Sequence, residues 1–153
     1  MDDGRDERGF LTPERVRGLF DRAVVHWNAH EFFESHEDWE TLWLEAEGPH
    51  RAWLQGLIQF AAAFHHVLHG KASGFTTLVR TATEKASGYG GDTHGIDFAA
   101  LWSGLAPWRT HAERVAAGAA MREGAPPFPP IRYRPGVVPA PLPPDEGADE
   151  AGA

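Results

Sequence analysis

Three residues in one short stretch of the chain have the types and spacing of metal ligands. His36, Glu37 and Glu40 form a His-Glu-x-x-Glu pattern, in which positions 36 and 40 lie on the same face of a helix. Imidazole nitrogens and carboxylate oxygens together suit zinc, manganese or iron. With His36, Glu40 and His66 as ligands and Glu37 as the base, this would be a metal-dependent hydrolase. The zinc-hydrolase motif, however, has a second His where this chain has Glu40.

The same stretch also fits a purely structural interpretation. On a helical wheel, His36 and Glu40 fall on the aromatic face beside Trp39 and Trp43, and Glu37 falls at its edge. The wheel assigns the other polar side chains of this helix to solvent: Glu34, Asp38, Thr41 and Glu45. Buried polar groups are usually satisfied by hydrogen bonds rather than reactive. We therefore prefer a buried hydrogen-bond network to a metal site.

The next helical segment supplies partners for such a network. The sequence from about residue 50 to residue 70 is apolar almost all round, which is typical of the central helix of a bundle. Its one polar strip is bordered by small residues such as Gly56, which let a second helix approach closely. Because a buried polar group without a partner costs about 1 to 3 kcal/mol, the two polar strips are expected to face each other. The predicted interior polar cluster is His36, Glu40, Gln55, Gln59 and His66.

Two further histidines stand near the end of this segment. His65 lies among apolar positions of the wheel, where a packed core histidine is expected. His69 precedes Gly70 at the predicted end of the helix, where the helix dipole favours an imidazolium. The sequence predicts structural roles for both, and it leaves His65 as a secondary candidate for the third metal ligand in place of His66.

Hydrophobic periodicity predicts an all-α fold, a compact bundle of about five helices without strands. Thr12 is expected to cap the first helix, with Pro13 in its first turn. Asp97 can cap the fifth helix, in which Pro107 predicts a kink or a restart. The bundle domain is therefore placed at residues 12–123, after a flexible N-terminus at residues 1–11.

The C-terminal region differs in composition from the rest of the chain. Residues 124–153 hold nine of the twelve prolines and end in an acidic segment, which predicts a Pro-rich, acidic tail. One part of the tail is an exception. Phe128, Ile131 and Tyr133 could strap an extended segment onto the bundle.

Composition argues against several classes of partner and chemistry. The chain has 22 acidic and 14 basic residues, a net charge of -8, and no basic cluster, so we expect neither nucleic acid nor an anionic membrane as a partner. Cysteine is absent, which excludes disulfides, thiolate catalysis and Cys-ligated metals. The N-terminal residues are charged, and no apolar run approaches the roughly 20 residues of a membrane span. A soluble cytoplasmic protein is expected.

Two separated motifs resemble a known prokaryotic family. The stretches NAHEFFESHEDWETLW and LQGLIQFAAAFHHVLHGKASGFTTLV are similar to domain-of-unknown-function family 309 (DUF309). The resemblance implies a compact all-helical bundle and no established activity. It places the family's hallmark on Glu34, His36, Glu37, Glu40, Trp43, Gln55, Gly56, Gln59 and His66.

The chain departs from this family at two positions. The turn after the third helix reads Gly70-Lys71 where the family commonly has Gly-Asn, which could change a turn hydrogen bond. Phe75 replaces the small residue expected after Gly74, and this puts a bulky group at a helix start.

The residues and the resemblance together predict a non-catalytic binding or interaction module that needs no cofactor. Its partner could be a small molecule, another protein or a second copy in a homodimer. The alternative is a metal-dependent hydrolase that uses a divalent zinc, manganese or iron ion at His36, Glu40 and His66.

Overall fold

In the computed structural model of the protein, the described residues are 4–46, 49–86, 92–93 and 95–135. They form five helices: α1 (Pro13–Asn28), α2 (Phe32–Trp43), α3 (Pro49–Leu68), α4 (Phe75–Ala86) and α5 (Phe98–Ala116). The all-α bundle is therefore confirmed. Among the described residues, no helix combines the length and the apolarity that crossing a membrane requires. The acidic end of the predicted tail lies outside the described residues.

The helix starts follow the local signals in the sequence. The side chain of Thr12 accepts a hydrogen bond from the backbone N–H of Arg15 (3.2 Å), and Pro13 occupies the first turn of α1. The side chain of Asp97 likewise accepts a hydrogen bond from the N–H of Ala100 at the start of α5. Both caps satisfy backbone donors that have no partner within the helix. Both predicted N-caps are confirmed.

The central helix of the bundle is α3, which packs against α2 on one side and α4 on the other. Its side chains Leu54, Leu57, Ala61 and Phe64 are fully buried. The close approach of α4 depends on Gly56: a Cβ atom at this position would lie 2.6 Å from the Cβ of Ala86. The predicted role of small residues on α3 is therefore observed at Gly56.

α5 is one continuous helix, so the restart predicted at Pro107 is wrong. Proline removes the hydrogen bond that its nitrogen would donate to the carbonyl of Ser103, four residues earlier. Both residues lie on the exposed face of α5, where water can bind that carbonyl. The helix can therefore pass through the proline.

A short hairpin precedes α5, where no strand was predicted. Strand β1 (Asp92–Thr93) pairs antiparallel with β2 (Ile96–Asp97). Two residues per strand are too few to show an alternating pattern in the sequence. β2 also forms an isolated antiparallel bridge to Tyr133, so the C-terminal segment extends this small sheet.

Residues 125–135 pack along the bundle as an extended strap, as predicted for Phe128, Ile131 and Tyr133. The indole N–H of Trp27 donates to the carbonyl of Pro129 (2.8 Å), and the side-chain amide of Asn28 exchanges two hydrogen bonds with the backbone of Ile131 (3.0 and 2.8 Å). Extended prolines leave their carbonyls free to accept such bonds. Part of the predicted tail is therefore bound to the helices.

The far end of the strap is held by Tyr133. Its hydroxyl donates to a carboxylate oxygen of Asp21 at 2.5 Å, and its ring stacks on Phe20 with centroids 5.8 Å apart. Burial and the neighbouring Asp21 carboxylate raise the pKa of Tyr133. The strap thus connects α1 with the hairpin before α5.

Candidate ligand-binding groove

α2 buries a different face from the one that the helical wheel favoured. Its buried residues are Phe32, Ser35, Asp38, Trp39 and Leu42. This arc is rotated by about 60° from the predicted one. Phe33 is consequently 51% exposed, and Glu40 is exposed as well. The predictions that Glu40 is buried and that Asp38 faces solvent are therefore both wrong.

Partners on α1 explain the rotation. Asp38 is only 5% exposed, and its carboxylate accepts two hydrogen bonds from the guanidinium of Arg22 (3.1 and 2.7 Å). The hydroxyl of Ser35 donates to the carbonyl of Ala23 (3.0 Å). A buried carboxylate is tolerated when a bidentate arginine neutralises it. Glu40 has no such partner among the described residues, and its carboxylate remains in water.

The structure brings together only part of the predicted interior cluster. His36 and His66 line the same groove, whereas Gln55 and Gln59 are half-buried on α3 away from its lining. Within the described ranges, no hydrogen bond joins any two of the five predicted side chains. Nδ1 of His36, Nδ1 of His66 and Oε1 of Gln59 are buried without a hydrogen-bond partner.

The other positions that are characteristic of the family lie outside the groove lining. Trp43 is half-buried beneath the guanidinium of Arg51, which lies 3.8 Å from its ring centroid. Gly56 permits the contact between α3 and α4. Glu34 and Glu37 are exposed on α2. The family's characteristic positions therefore include packing residues and surface carboxylates as well as groove residues.

A groove opens where the start of α2 meets the end of α3, and we call it the α2–α3 groove. Its volume is about 290 Å³, and it is lined by Phe32, Phe33, His36, Ala62, His65, His66 and Lys71. The ring centroids of Phe33 and His65 lie 5.7 Å apart. The groove therefore combines an aromatic wall on α2 with imidazole groups from both helices.

The turn after α3 positions Lys71 at this groove. Gly70 has a φ of +70°, its N–H donates to the carbonyl of Val67 (3.2 Å), and the N–H of Lys71 donates to the carbonyl of His66 (2.9 Å). This is the Schellman arrangement, in which glycine adopts the left-handed conformation just after the helix. Any residue except proline could supply the N–H of position 71. The lysine therefore keeps the turn hydrogen bonds and adds an ammonium group to the groove.

The other departure from the family pattern also has a structural role. Phe75 is fully buried at the start of α4, and its ring contacts Trp108 of α5 with centroids 6.1 Å apart. The bulky side chain at this helix start is therefore part of the core.

The α3 side of the groove is rich in hydrogen-bond donors and positive charge. Lys71 forms no ion pair with any described residue. Burial lowers the pKa of His65, and positive charge on His69, His66 and Lys71 lowers it further, while Glu34 acts in the opposite direction. The α2 carboxylates do not line the groove. A hydrogen-bond acceptor or an anion bound in the groove would pair with these donors.

His66 presents a defined hydrogen-bonding group. Its Nδ1 is buried and has no hydrogen-bond partner. Nε2 is therefore the ring nitrogen that can form a hydrogen bond with a ligand.

A second arrangement of polar groups lies on α2 itself. One potential ligand atom from each of His36, Glu37 and Glu40 comes within 4.8 Å of the others. His66 does not belong to this group, so the third metal ligand predicted from α3 is not brought to it. Glu37, which the sequence predicted to act as the base, is one of the three potential ligands in this group.

Another cavity, of about 260 Å³, lies between α4 and α5. Its lining includes Arg80 and Arg109, but also Glu84 and Glu113. Because the acidic and basic groups balance, the lining of this cavity has no excess of charge of either sign.

Sequence reasoning found some of the groove residues and missed others. His36 and His66 were identified by their position on the helical wheels, whereas Phe33 was placed at the edge of the buried face and His65 in the core. Lys71 could have been recognised from Gly70, because a helix-ending glycine brings the next residue back towards the last helical turn.

Comparison with known proteins supports the family resemblance. The family model of domain of unknown function DUF309 matches residues 20–78, which include α2, α3 and every residue that lines the groove. No curated protein sequence matches the chain. Residues 20–78 of this chain are therefore similar to the DUF309 family, which is defined without a known function.

Proposed function

We propose that this protein is a non-catalytic binding module, and that the α2–α3 groove holds a small ligand with an apolar body and an anionic group. The observation that carries the proposal is the composition of the groove lining, which pairs aromatic side chains with unpaired cationic and imidazole groups. Ligand sites are typically apolar clefts with a few convergent polar groups.

The apolar part of the ligand would lie against α2. Phe32 is buried and supports the groove wall, while half of the Phe33 surface is open. Ala62 contributes a small side chain on the opposite wall. A small residue there leaves room for an aromatic or branched group, and a larger side chain would fill that room.

The anionic part of the ligand would lie against the end of α3. Lys71 supplies an ammonium group without an intramolecular ion pair, and Nε2 of His66 can donate a hydrogen bond. Hydrogen bonds between charged groups are stronger than those between neutral ones. A carboxylate or phosphate is therefore favoured over a neutral ligand of the same shape.

Isothermal titration with benzoate and with benzamide tests this proposal. We expect benzoate to bind more tightly than benzamide, because only benzoate pairs its charge with Lys71. Ala62→Leu should weaken both ligands by roughly tenfold or more, since the added carbons occupy the groove. Ala106→Leu, on the exposed surface of α5, is the matched control and should bind like the wild type. Equal binding to wild type and Ala62→Leu would contradict a site in this groove.

A second candidate function is metal-dependent hydrolysis at α2. It is supported by the spacing of His36, Glu37 and Glu40, whose potential ligand atoms lie within 4.8 Å of one another. A divalent ion held there could activate water, with Glu37 as a ligand or as the base. His36 Nδ1 is buried, so Nε2 would be its ligand atom.

Elemental analysis of protein purified without an affinity tag tests the second candidate. If this function is correct, the wild type should contain zinc, manganese or iron at near-stoichiometric amounts. His36→Ala and Glu40→Ala should both lose the metal while keeping their helical content by circular dichroism, because Glu40 is exposed and His36 only half-buried. Metal that persists in both variants would exclude these ligands.

A further inference from the structure

Two histidines lie close together at the end of α3, one in its last turn and one directly after it. His65 and His69 are four residues apart, and the backbone N–H of His69 still donates to the carbonyl of His65 (3.1 Å). Residues at this spacing are neighbours on the helix surface. Their ring centroids lie only 4.2 Å apart, with the planes tilted by 49°.

We propose that His65 and His69 chelate one divalent transition-metal ion of the type that prefers imidazole, such as Zn²⁺, Ni²⁺ or Cu²⁺. Two imidazoles at positions i and i+4 of a helix can bind one ion from the same face. His69 is exposed and His65 is half-buried, so an ion can reach the pair from solvent. Water would occupy the remaining coordination positions.

The charges around the pair are consistent with this site. Metal binding requires the neutral form of both imidazoles. Glu34 of α2 is an electrostatic neighbour of His65 and would favour a bound cation. Lys71 and His66 oppose the binding of a cation, so we expect moderate affinity rather than a tightly held structural ion.

This site differs from the other candidate metal group in its ligands. His36, Glu37 and Glu40 all belong to α2, whereas His65 and His69 belong to the end of α3. It also differs from the role that the sequence predicted for His69, which was to interact with the helix dipole. In the proposed site, the imidazole groups of both residues bind the ion.

Calorimetric titration of Zn²⁺ into metal-free, untagged protein at pH 7.5 tests the proposal. We expect one ion per chain, and His69→Ala should weaken binding by roughly tenfold or more because one of two protein ligands is lost. Glu14→Gln is the matched control, since it changes an exposed carboxylate in the first turn of α1, outside both candidate sites, and it should leave the affinity unchanged. Electron paramagnetic resonance of the Cu²⁺-loaded protein should show coupling to two imidazole nitrogens, and to one in His69→Ala.

Three results would overturn this inference. They are the absence of Zn²⁺ binding to the wild type, unchanged affinity in His69→Ala, and an equal loss of affinity in Glu14→Gln. Because His69→Ala changes an exposed residue outside the lining of the α2–α3 groove, its benzoate binding can be measured separately. Failure of the metal site would therefore be distinguishable from failure of the proposed ligand groove.

Discussion

A chain that ends at Glu123 is expected to lose most of its stability, whereas a chain that ends at Pro135 should melt like the full-length protein. The shorter chain loses the strap, including the buried Ile131 and the ring of Phe128, which stacks on Trp108 with centroids 5.3 Å apart. Burying an apolar side chain contributes about 1.5 to 3 kcal/mol. Total stabilities are only about 5 to 15 kcal/mol, so loss of the whole strap should be severe.

Thermal denaturation followed by circular dichroism measures this difference. The chain that ends at Pro135 is the control, because it removes only residues that follow the strap. If the chain that ends at Glu123 does not fold, Trp27→Phe offers a milder test. It removes the indole N–H that donates to Pro129 and part of a fully buried side chain, and should cost about 2 to 3 kcal/mol. Equal melting of the two truncated chains would show that the strap contributes nothing.

Gly56→Ala is expected to destabilise the protein by about 2 to 3 kcal/mol through overpacking. The new Cβ would lie 2.6 Å from the Cβ of Ala86 and 3.1 Å from the carbonyl oxygen of Ala82. The second contact is with backbone, so α4 must move away from α3 to make room. Ala86→Gly in the same chain should restore part of the lost stability because it removes the nearer contact.

Gly18→Ala is the matched control for this substitution. Gly18 also lies inside a helix, but a Cβ there would meet nothing within 4 Å. Alanine should therefore stabilise α1 by about 0.5 to 1 kcal/mol, as expected for an exposed helical position. Urea denaturation should give opposite signs for the two substitutions. Destabilisation of equal size at both positions would contradict the close approach of α3 and α4.

Much of the fold followed from local signals in the sequence. Thr12 and Asp97 marked two helix starts because an N-cap requires a particular side chain at one position. The strap was also predicted, since Phe128, Ile131 and Tyr133 are apolar residues in an otherwise solvated composition. The hairpin before α5 was missed because its pairing involves two residues per strand and a distant partner, Tyr133.

The orientation of α2 could not be obtained from its own sequence. A wheel treats Asp38 as a solvated charge, but Arg22 lies sixteen residues earlier on α1 and neutralises it. That pairing turns Asp38 inward, and the same rotation exposes Phe33 and Glu40. A helix with aromatic residues on several sides has no unique apolar face, so its tertiary partners decide which side is buried.

The candidate site, like the orientation of α2, could be predicted only in part from the sequence. His36 and His66 were expected to take part in a sealed hydrogen-bond network with two glutamines, but they line an open groove instead. Phe33 joins them because α2 is rotated. Lys71 joins them because the backbone turn at Gly70 returns the chain to the end of α3. Neither effect appears in the periodicity of a single helix.

The most direct test of the proposed binding function is to map benzoate onto the protein by nuclear magnetic resonance, following the backbone amides during a titration. Binding in the α2–α3 groove predicts that the largest shifts occur at Phe33, Ala62, His66 and Lys71, and that benzamide must be added at a higher concentration than benzoate to shift the same amides. Shifts centred instead on Arg80 and Arg109 of the α4–α5 cavity, or no localised shifts at all, would contradict it.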